Sequence, residues 1–384
     1  MDILAHNTPA FVTELKTPED IGDVLLTGAT GFLGIHVLKY LLDRTRKTVY
    51  CLLRPGQDTA EKRLQNMLMY YFDGPMWEMF GSRIKCIEGD ITEPESLTGL
   101  AACDFKTVIN CAACLKESHK ILEAVNWHGV ENLISFCREH QKRLVQVSTV
   151  SIAGTAEPGK VPEGKLLNET DHNFGQKLED KYVYTKFKAE EAILKAIEQD
   201  GLDAKIIRAG NLTSRYIDGE FQVNFVRSTF MQGLRAYAAL GKVPVSVLDQ
   251  TVEFSPVDRT AEAVVLLAAT PKDFTVFHAT NGHRVETGDV IDALFQAGVQ
   301  IKIVDEAEFQ DTFREAYADK ERRRIVAPLI AFQKGQGGES YVGHSNAFTT
   351  KALYRLRFKW PIINEAYLIN AFRALEGLDF FRAE

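Results

Sequence analysis

The stretch Asp23-Val-Leu-Leu-Thr-Gly-Ala-Thr-Gly-Phe-Leu-Gly34 constrains the fold of this chain more than any other. Val24, Leu25 and Leu26 form a short apolar run that reads as a buried strand. Gly28, Gly31 and Gly34 follow, and then Ile35, Val37, Leu38, Leu41 and Leu42 recur at helical spacing. A strand, a tight glycine turn and a helix start, in that order, form a seat for a diphosphate. The first glycine permits the sharp turn, and the second lets backbone N–H groups approach phosphate oxygens. The third lets the helix pack on the strand, with the positive end of its dipole toward the anion. These flanks distinguish a dinucleotide turn from a bare glycine triplet.

Strand and helix signals alternate onward from this turn. Residues 49–53, 84–88, 107–110, 143–148 and 204–208 read as strands. Helical stretches at 59–71, 117–140 and 182–199 separate them. The rhythm predicts an α/β fold, a doubly wound parallel (Rossmann) sheet covered on both faces. It breaks after Arg208, where 211–250 reads as helix and loop. A helix at 255–270 and a last strand at 275–279 return to the sheet, and from about 281 the chain turns helical and charged. The expected division is a lead-in at 1–20 and an NADP-binding Rossmann domain at 21–210 plus 251–280. Residues 211–250 plus 281–384 then form a smaller, mostly helical substrate domain. Ligands of such sheets bind at the carboxyl ends of the strands.

Composition narrows the partners. A net charge of −7 leaves no basic footprint, which argues against nucleic acid. No run of about 18 apolar residues exists to span a membrane, and the N-terminus lacks the pattern of a signal peptide. The six cysteines (51, 86, 103, 111, 114 and 137) lie mostly in or beside apolar runs, as expected of reduced thiols in a cytoplasmic protein. Cys111-Ala-Ala-Cys114 lacks a second pair or a nearby histidine, so it reads as core rather than as a metal site.

Several residues carry chemistry. The second strand ends Cys51-Leu-Leu-Arg54, with a guanidinium where an NAD-binding fold has an acidic residue. A guanidinium matches phosphate in a forked geometry and favours NADP(H). Arg63 reads either as a second cation there or as part of a solvated helix face. Asp90 reads either as an acceptor for the adenine amine or as the cap of a turn. Tyr182 and Lys186 stand at i and i+4 on one helix face. A phenol ordinarily has a pKa of about 10, and a nearby ammonium is expected to lower it. Tyr184 and Lys188 share that spacing. Upstream, Val147-Ser-Thr149-Val-Ser151 closes the fifth strand with hydroxyls, which either bind a substrate oxygen or cap a loop.

Together the chain resembles an extended short-chain dehydrogenase/reductase from about residue 21 to 280. Thr27-Gly-Ala-Thr-Gly-Phe-Leu-Gly34, Gly89-Asp90, Asn110-Cys-Ala-Ala113, Val147-Ser-Thr149 and the Tyr182/Lys186 pair carry the resemblance. Within that superfamily it looks most like the thioester reductase domains that end nonribosomal peptide synthetases, kin to the reductase domain of carboxylic acid reductases. Cys51-Leu-Leu-Arg54-Pro, Tyr182-Val-Tyr-Thr-Lys-Phe-Lys-Ala-Glu190, Arg208-Ala-Gly-Asn-Leu-Thr213 and Ser255-Pro-Val-Asp258 support this. The resemblance implies Thr149, Tyr182 and Lys186 as catalytic residues. It selects Tyr182 because its lysine follows Thr185, and Thr149 by its distance from Gly154. It implies NADPH held by Thr27, Gly28, Thr30, Gly31, Phe32, Leu33 and Gly34, by Arg54, Arg63, Asp90 and Ile91, and by Asn110, Ala112, Ala113 and Asn126.

The implied substrate is an acyl or peptidyl thioester on the phosphopantetheine arm of a carrier protein. The implied product is an aldehyde, or an alcohol after a second hydride. The lead-in would correspond to the linker from that carrier. Carrier proteins are usually acidic, so docking needs a basic patch. Arg44, Arg46 and Lys47 form one candidate, and Lys320-Glu-Arg-Arg-Arg324 the preferred one. The chain departs from the family in Cys114-Leu-Lys-Glu-Ser-His119, a loop expected to border the substrate. Rival readings are an acyl-CoA reductase, a nucleotide-sugar epimerase or dehydratase, and an NADP(H) sensor without turnover.

Overall fold

Val24–Thr27 is strand β1, buried along its whole length. Its surroundings come from a computed structural model that describes residues 3–15, 18–115, 118–157, 159–222, 229–330 and 341–381. β1 pairs in parallel with β2 (Val49–Leu53) on one side and with β4 (Thr107–Asn110) on the other. The full sheet is parallel and seven-stranded. Its order is Val276–Ala279, then β7 (Ala204–Ala209), β5 (Arg143–Thr149), β4, β1, β2 and β3 (Ile84–Glu88). The expected doubly wound sheet is therefore present. Strand order reverses between β1 and β4, which opens a crevice at their carboxyl ends, where ligands of such sheets bind. β2 and β7 are buried throughout, as strands covered on both faces are.

Local chemistry sets the helices. α1 (Phe32–Arg44) starts from the glycine turn. α2 (Ala60–Tyr71) is capped by the Thr59 hydroxyl, which accepts from the Lys62 N–H. α6 (Lys181–Asp200) starts where the Asp180 carboxylate accepts from the Val183 N–H, and stops at Gly201 in the left-handed region (φ 66°). After the short α3 (Pro94–Thr98), the helix expected at 117–140 runs as α4 (His119–Glu123), one π turn at Ala124–His128, and α5 (Gly129–Glu139); residue 117 lies outside the described residues. The helix expected at 255–270 is Val257–Ala268.

Contacts divide the chain into two units. The first comprises Met1–Gly210, Thr260–Ala279 and Val342–Lys359; the second comprises Asn211–Arg259, Thr280–Tyr341 and Trp360–Glu384. The expected boundaries need three corrections. Residues 251–259 join the second unit, because Thr251–Glu253 pairs with Arg284–Glu286 and Ser255–Pro256 pairs with Leu212–Thr213. Residues 342–359 return to the first unit. There Gly343–His344 pairs with β6 (Leu166–Leu167), and Phe348 of the helix Ala347–Arg355 stacks on Phe277.

The third correction concerns the lead-in. Its described part is packed structure, with Leu4, Val12 and Leu15 buried. The Asn7 amide accepts from the Thr275 N–H (2.9 Å) and donates to the Thr275 hydroxyl (2.8 Å). Such sparse, long-range anchors leave no periodic trace in the sequence. Among the described residues, no helix is long and apolar enough to cross a membrane.

Candidate active site

The glycine turn has the form a diphosphate requires. Gly28 is left-handed (φ 70°), and a side chain there would meet the Ala112 backbone nitrogen at 2.6 Å. A side chain at Gly34 would collide with the Gly28 carbonyl. Gly31 differs: its Cβ would meet only the Gly28 carbonyl oxygen, at 3.1 Å, with open space otherwise. Gly34 thus closes α1 onto the turn, Gly28 lets the Cys111–Ala112 backbone approach it, and the exposed middle glycine leaves room for a ligand against the backbone. α1 begins there with no side-chain cap and no acidic residue in its first turn. Its first N–H groups and its dipole suit an anion.

The floor of the cradle is a buried hydrogen-bond chain. The Thr27 hydroxyl donates to Asn110 Oδ1, and Asn110 Nδ2 donates to Gln146 Oε1 (2.7 Å). The Ala112 N–H donates to Asn110 Oδ1 (3.2 Å). The structure brings Thr27, Asn110 and Ala112 together and spends the two polar side chains on joining β1, β4 and β5. Phe32 stacks edge-on with His36, and Leu33 is buried, so both brace α1. Thr30 is half-buried in the turn, and Ala113 is exposed.

The other predicted cofactor residues separate by role. Arg54 is exposed just past the end of β2, and the Arg63 guanidinium donates to its carbonyl. α2 therefore delivers a second cation to that strand end. Asp90 Oδ1 accepts from the Thr92 N–H (2.9 Å), so this oxygen caps the turn. Ile91 is core, with Gly129 closed against it.

Asn126 sits in the π turn. Its Oδ1 accepts from the Cys114 N–H (2.8 Å), its Nδ2 donates to the Cys114 carbonyl (2.8 Å), and the same Nδ2 reaches the Thr185 hydroxyl (3.2 Å). A single amide thus pins the loop after β4 to the helix that carries Tyr182. π turns commonly mark functional positions in helices.

Tyr182 and Lys186 share one face of α6. The Lys186 ammonium is buried and donates to the Val147 carbonyl at 2.5 Å, which draws α6 onto the end of β5. Thr149 ends β5, with its hydroxyl donating to Ser151 Oγ (3.0 Å) and accepting from the Ser151 N–H (3.1 Å). Burial pulls Lys186 down to about 8, against the raising influence of Glu190 and Cys111. The expected lowering of the Tyr182 pKa is absent. Burial pushes the phenol up to about 12, and the Asp180 carboxylate adds to the rise. Desolvation prevails there, and the Lys186 ammonium is engaged with a backbone carbonyl. Tyr182 is therefore a protonated donor near neutrality. Tyr184 is more exposed, and Lys188 pairs with Glu191 on another face.

Sequence reasoning did not assign roles to the residues beneath this face. Ser148 donates to Glu190 Oε1 (2.5 Å), and Glu190 Oε2 accepts from Arg208 Nη2 (2.7 Å) and Nε (3.0 Å). Arg208 Nη1 donates to His278 Nε2 (3.1 Å), and His278 Nδ1 donates to the Ser345 carbonyl (2.5 Å). These partners require the neutral Nδ1–H tautomer. Burial first, and Arg208 second, hold His278 well below its ordinary pKa. The available signal was the i, i+4 relation of Lys186 and Glu190, one helical turn apart.

Known proteins share this architecture. Residues 26–264 match the NAD-binding family described as "Male sterility protein". A thiolation-reductase di-domain from an archaeal nonribosomal peptide synthetase superposes with a TM-score of 0.90 at 34% identity. That match covers 99% of this chain and 80% of the other. The reductase domain of the aureusimine biosynthetic cluster matches with a TM-score of 0.80 at 25% identity, over 95% and 93% of the two chains. A linear gramicidin synthase from Brevibacillus parabrevis is 26% identical over 93% of this chain. L-2-aminoadipate reductase of Saccharomyces cerevisiae is 26% identical over 80% of it. The chain spans only 7% and 23% of the lengths of these two curated relatives.

Proposed function

The chain belongs to the NAD-binding family described as "Male sterility protein", and on that basis we propose that it catalyses NADPH-dependent reductive release of a carrier-bound acyl or peptidyl thioester as an aldehyde. One observation carries the reading. The Lys186–Val147 contact holds the Tyr182 face of α6 against the strand end that carries Thr149.

NADPH, when bound, supplies a hydride to the thioester carbonyl carbon. The residues that fit it are the Gly28–Gly34 turn for the diphosphate, with Arg54 and Arg63 for the 2′-phosphate. Tyr182 donates its proton to the carbonyl oxygen as negative charge develops there. The Thr149 hydroxyl is the second donor to that oxygen. A preplaced donor of this kind is worth about 3 kcal/mol of barrier. Lys186 seats the Tyr182 face of α6 on the end of β5 and, while protonated, adds positive charge to the site. As the C–S bond breaks, the hydroxyl proton of the hemithioacetal returns to the Tyr182 phenolate, the thiolate leaves and takes a proton from solvent, and an aldehyde remains. Asn126 holds the loop after β4 in position beside this face. The second unit, in this reading, recognises the acyl chain, and the partner is a phosphopantetheinylated carrier protein.

The test uses NADPH and an acyl-pantetheine thioester, with products identified by mass. The expected result is stoichiometric aldehyde from the unmodified protein and little from Tyr182→Phe. Undiminished NADPH consumption by Tyr182→Phe would overturn the assignment.

A further inference from the structure

The helix Ala347–Arg355 and the turn after it form a basic ridge in an acidic chain. Lys351, Arg355, Arg357 and Lys359 put four cations within nine residues, and no Asp or Glu occurs from 340 to 364. The chain as a whole carries −7. Among the described residues, Lys351, Arg355 and Arg357 make no ion pair. Tyr354 stands among them 63% exposed, with the Lys359 ammonium 5.3 Å from its ring centre. A cavity of about 330 Å³ opens beside them, lined by Pro9, Val12, Thr350, Lys351, Tyr354 and Arg355. Large exposed aromatics flanked by cations are characteristic of interface anchors.

A second observation is independent of charge. The helix ends in a Schellman motif, with the Phe358 N–H donating to the Leu353 carbonyl (2.9 Å) and the Arg357 N–H to the Tyr354 carbonyl (3.1 Å). The residue in the left-handed position of that motif is Arg357 (φ 63°), where glycine is usual. A side chain there carries backbone strain, and strain of this kind gathers at functional positions. The ridge is also tied to the frame that holds the candidate catalytic residues. The Thr349 hydroxyl accepts from the His278 N–H (2.7 Å) and donates to Glu169 (2.7 Å), and His278 bonds Arg208.

We propose that this ridge is the docking surface for an acidic protein face, which on the reading above belongs to the carrier domain that delivers the thioester. Most of an acidic chain repels such a partner, and the ridge does not. The run at Lys320–Arg324 suits the task less. Asp319 flanks it, Glu321 interrupts it, and Arg323 is turned onto the Tyr317 carbonyl (2.7 Å).

The experiment compares one acyl group delivered on an acidic carrier protein and on free pantetheine, in the full chain with NADPH. The triple variant Lys351→Glu/Arg355→Glu/Arg357→Glu is expected to raise KM for the carrier-bound substrate at least about tenfold. It should leave kinetics on the pantetheine thioester unchanged and flatten the salt dependence of KM. Arg357→Gly relieves the strain, so it should keep or raise Tm while still raising the carrier KM. That combination separates docking from folding. Equal KM for the triple variant and the parent on the carrier, or an equal rise caused by Arg322→Glu/Arg324→Glu instead, overturns the docking site. Binding of a fluorescent carrier is measured in parallel. If neither thioester is reduced, the catalytic reading fails; salt-sensitive binding lost in the triple variant then still supports the ridge, and its absence overturns the ridge too.

Discussion

Glu190 on α6 and Arg208 on β7 form an ion pair from which solvent is excluded on both sides, with Nη2 and Oε2 2.7 Å apart. The pair lies one helical turn below Lys186 and bonds Ser148, the residue before Thr149. It therefore fixes the candidate catalytic residues to the sheet from beneath. Breaking a buried pair on one side leaves an uncompensated charge and costs about 3–5 kcal/mol. Glu190→Gln and Arg208→Met should each lower the urea midpoint accordingly. The double variant Glu190→Gln/Arg208→Met should lose less than the sum of the single changes. Additive losses in that cycle would show that the pair does not act as a unit.

Removing the phenol tests the donor. Tyr182→Phe should lower kcat by about 10²–10³-fold while leaving the dissociation constant for NADPH near its original value. Thr149→Ala should cause a smaller loss. Stopped-flow measurement of NADPH oxidation with a pantetheine thioester reads both.

The pH profile should report Lys186. With its pKa at about 8, the ammonium is lost as pH rises through that value, and kcat/KM should fall there. Lys186→Arg should move the fall to higher pH, because a guanidinium stays charged. Unfolding is not the cause of the fall. A lysine held below its ordinary value binds fewer protons folded than unfolded between about 8 and 10.5. Its contribution to stability therefore rises across that window. Lys205, pulled down to about 7 by burial, has the same sign. Tm and activity measured on the same samples check the separation.

The two kinds of glycine in the turn should respond differently. Gly34→Ala forces a methyl into the Gly28 carbonyl and should destabilise the fold by about 3 kcal/mol or more. Gly31→Ala meets one contact at 3.1 Å and otherwise faces open space. It should fold, yet bind NADPH about tenfold more weakly, or about 1.4 kcal/mol. Thermal melts and fluorescence titration with NADPH distinguish the two outcomes.

Arg54 should govern which dinucleotide is used. A charge-assisted hydrogen bond is worth about 1.5–3 kcal/mol. Arg54→Ala should thus weaken NADPH by about 10–100-fold and leave NADH unchanged. Parallel titrations measure the ratio.

The glycine turn of the candidate site is legible in the amino-acid order because its information is local. Gly28, Gly31 and Gly34 sit within seven residues, and the strand before them and the helix after them follow from apolar spacing alone. The place of Arg54 at the end of β2 is legible for the same reason, since that strand is a local apolar run. The Tyr182/Lys186 pair is also local, although spacing leaves Tyr184/Lys188 open until the family resemblance selects between them. Asp90 shows the limit of such reading, because the same carboxylate fits a turn cap and an adenine acceptor, and Oδ1 is engaged as a cap.

Short-range pattern was thus enough for the parallel sheet, the cradle at its switch point and the helix that bears the phenol and the amine. Each depends on periodicity or turn chemistry within one short segment. Long-range packing alone settled where Lys186 spends its proton, and that Ser148, Glu190, Arg208 and His278 converge. It also returned residues 342–359 to the first unit and packed the lead-in onto the sheet. The reason is that burial and charge compensation act between segments far apart in the chain. Desolvation outweighed the local pairing that spacing implied, and raised the Tyr182 pKa instead of lowering it.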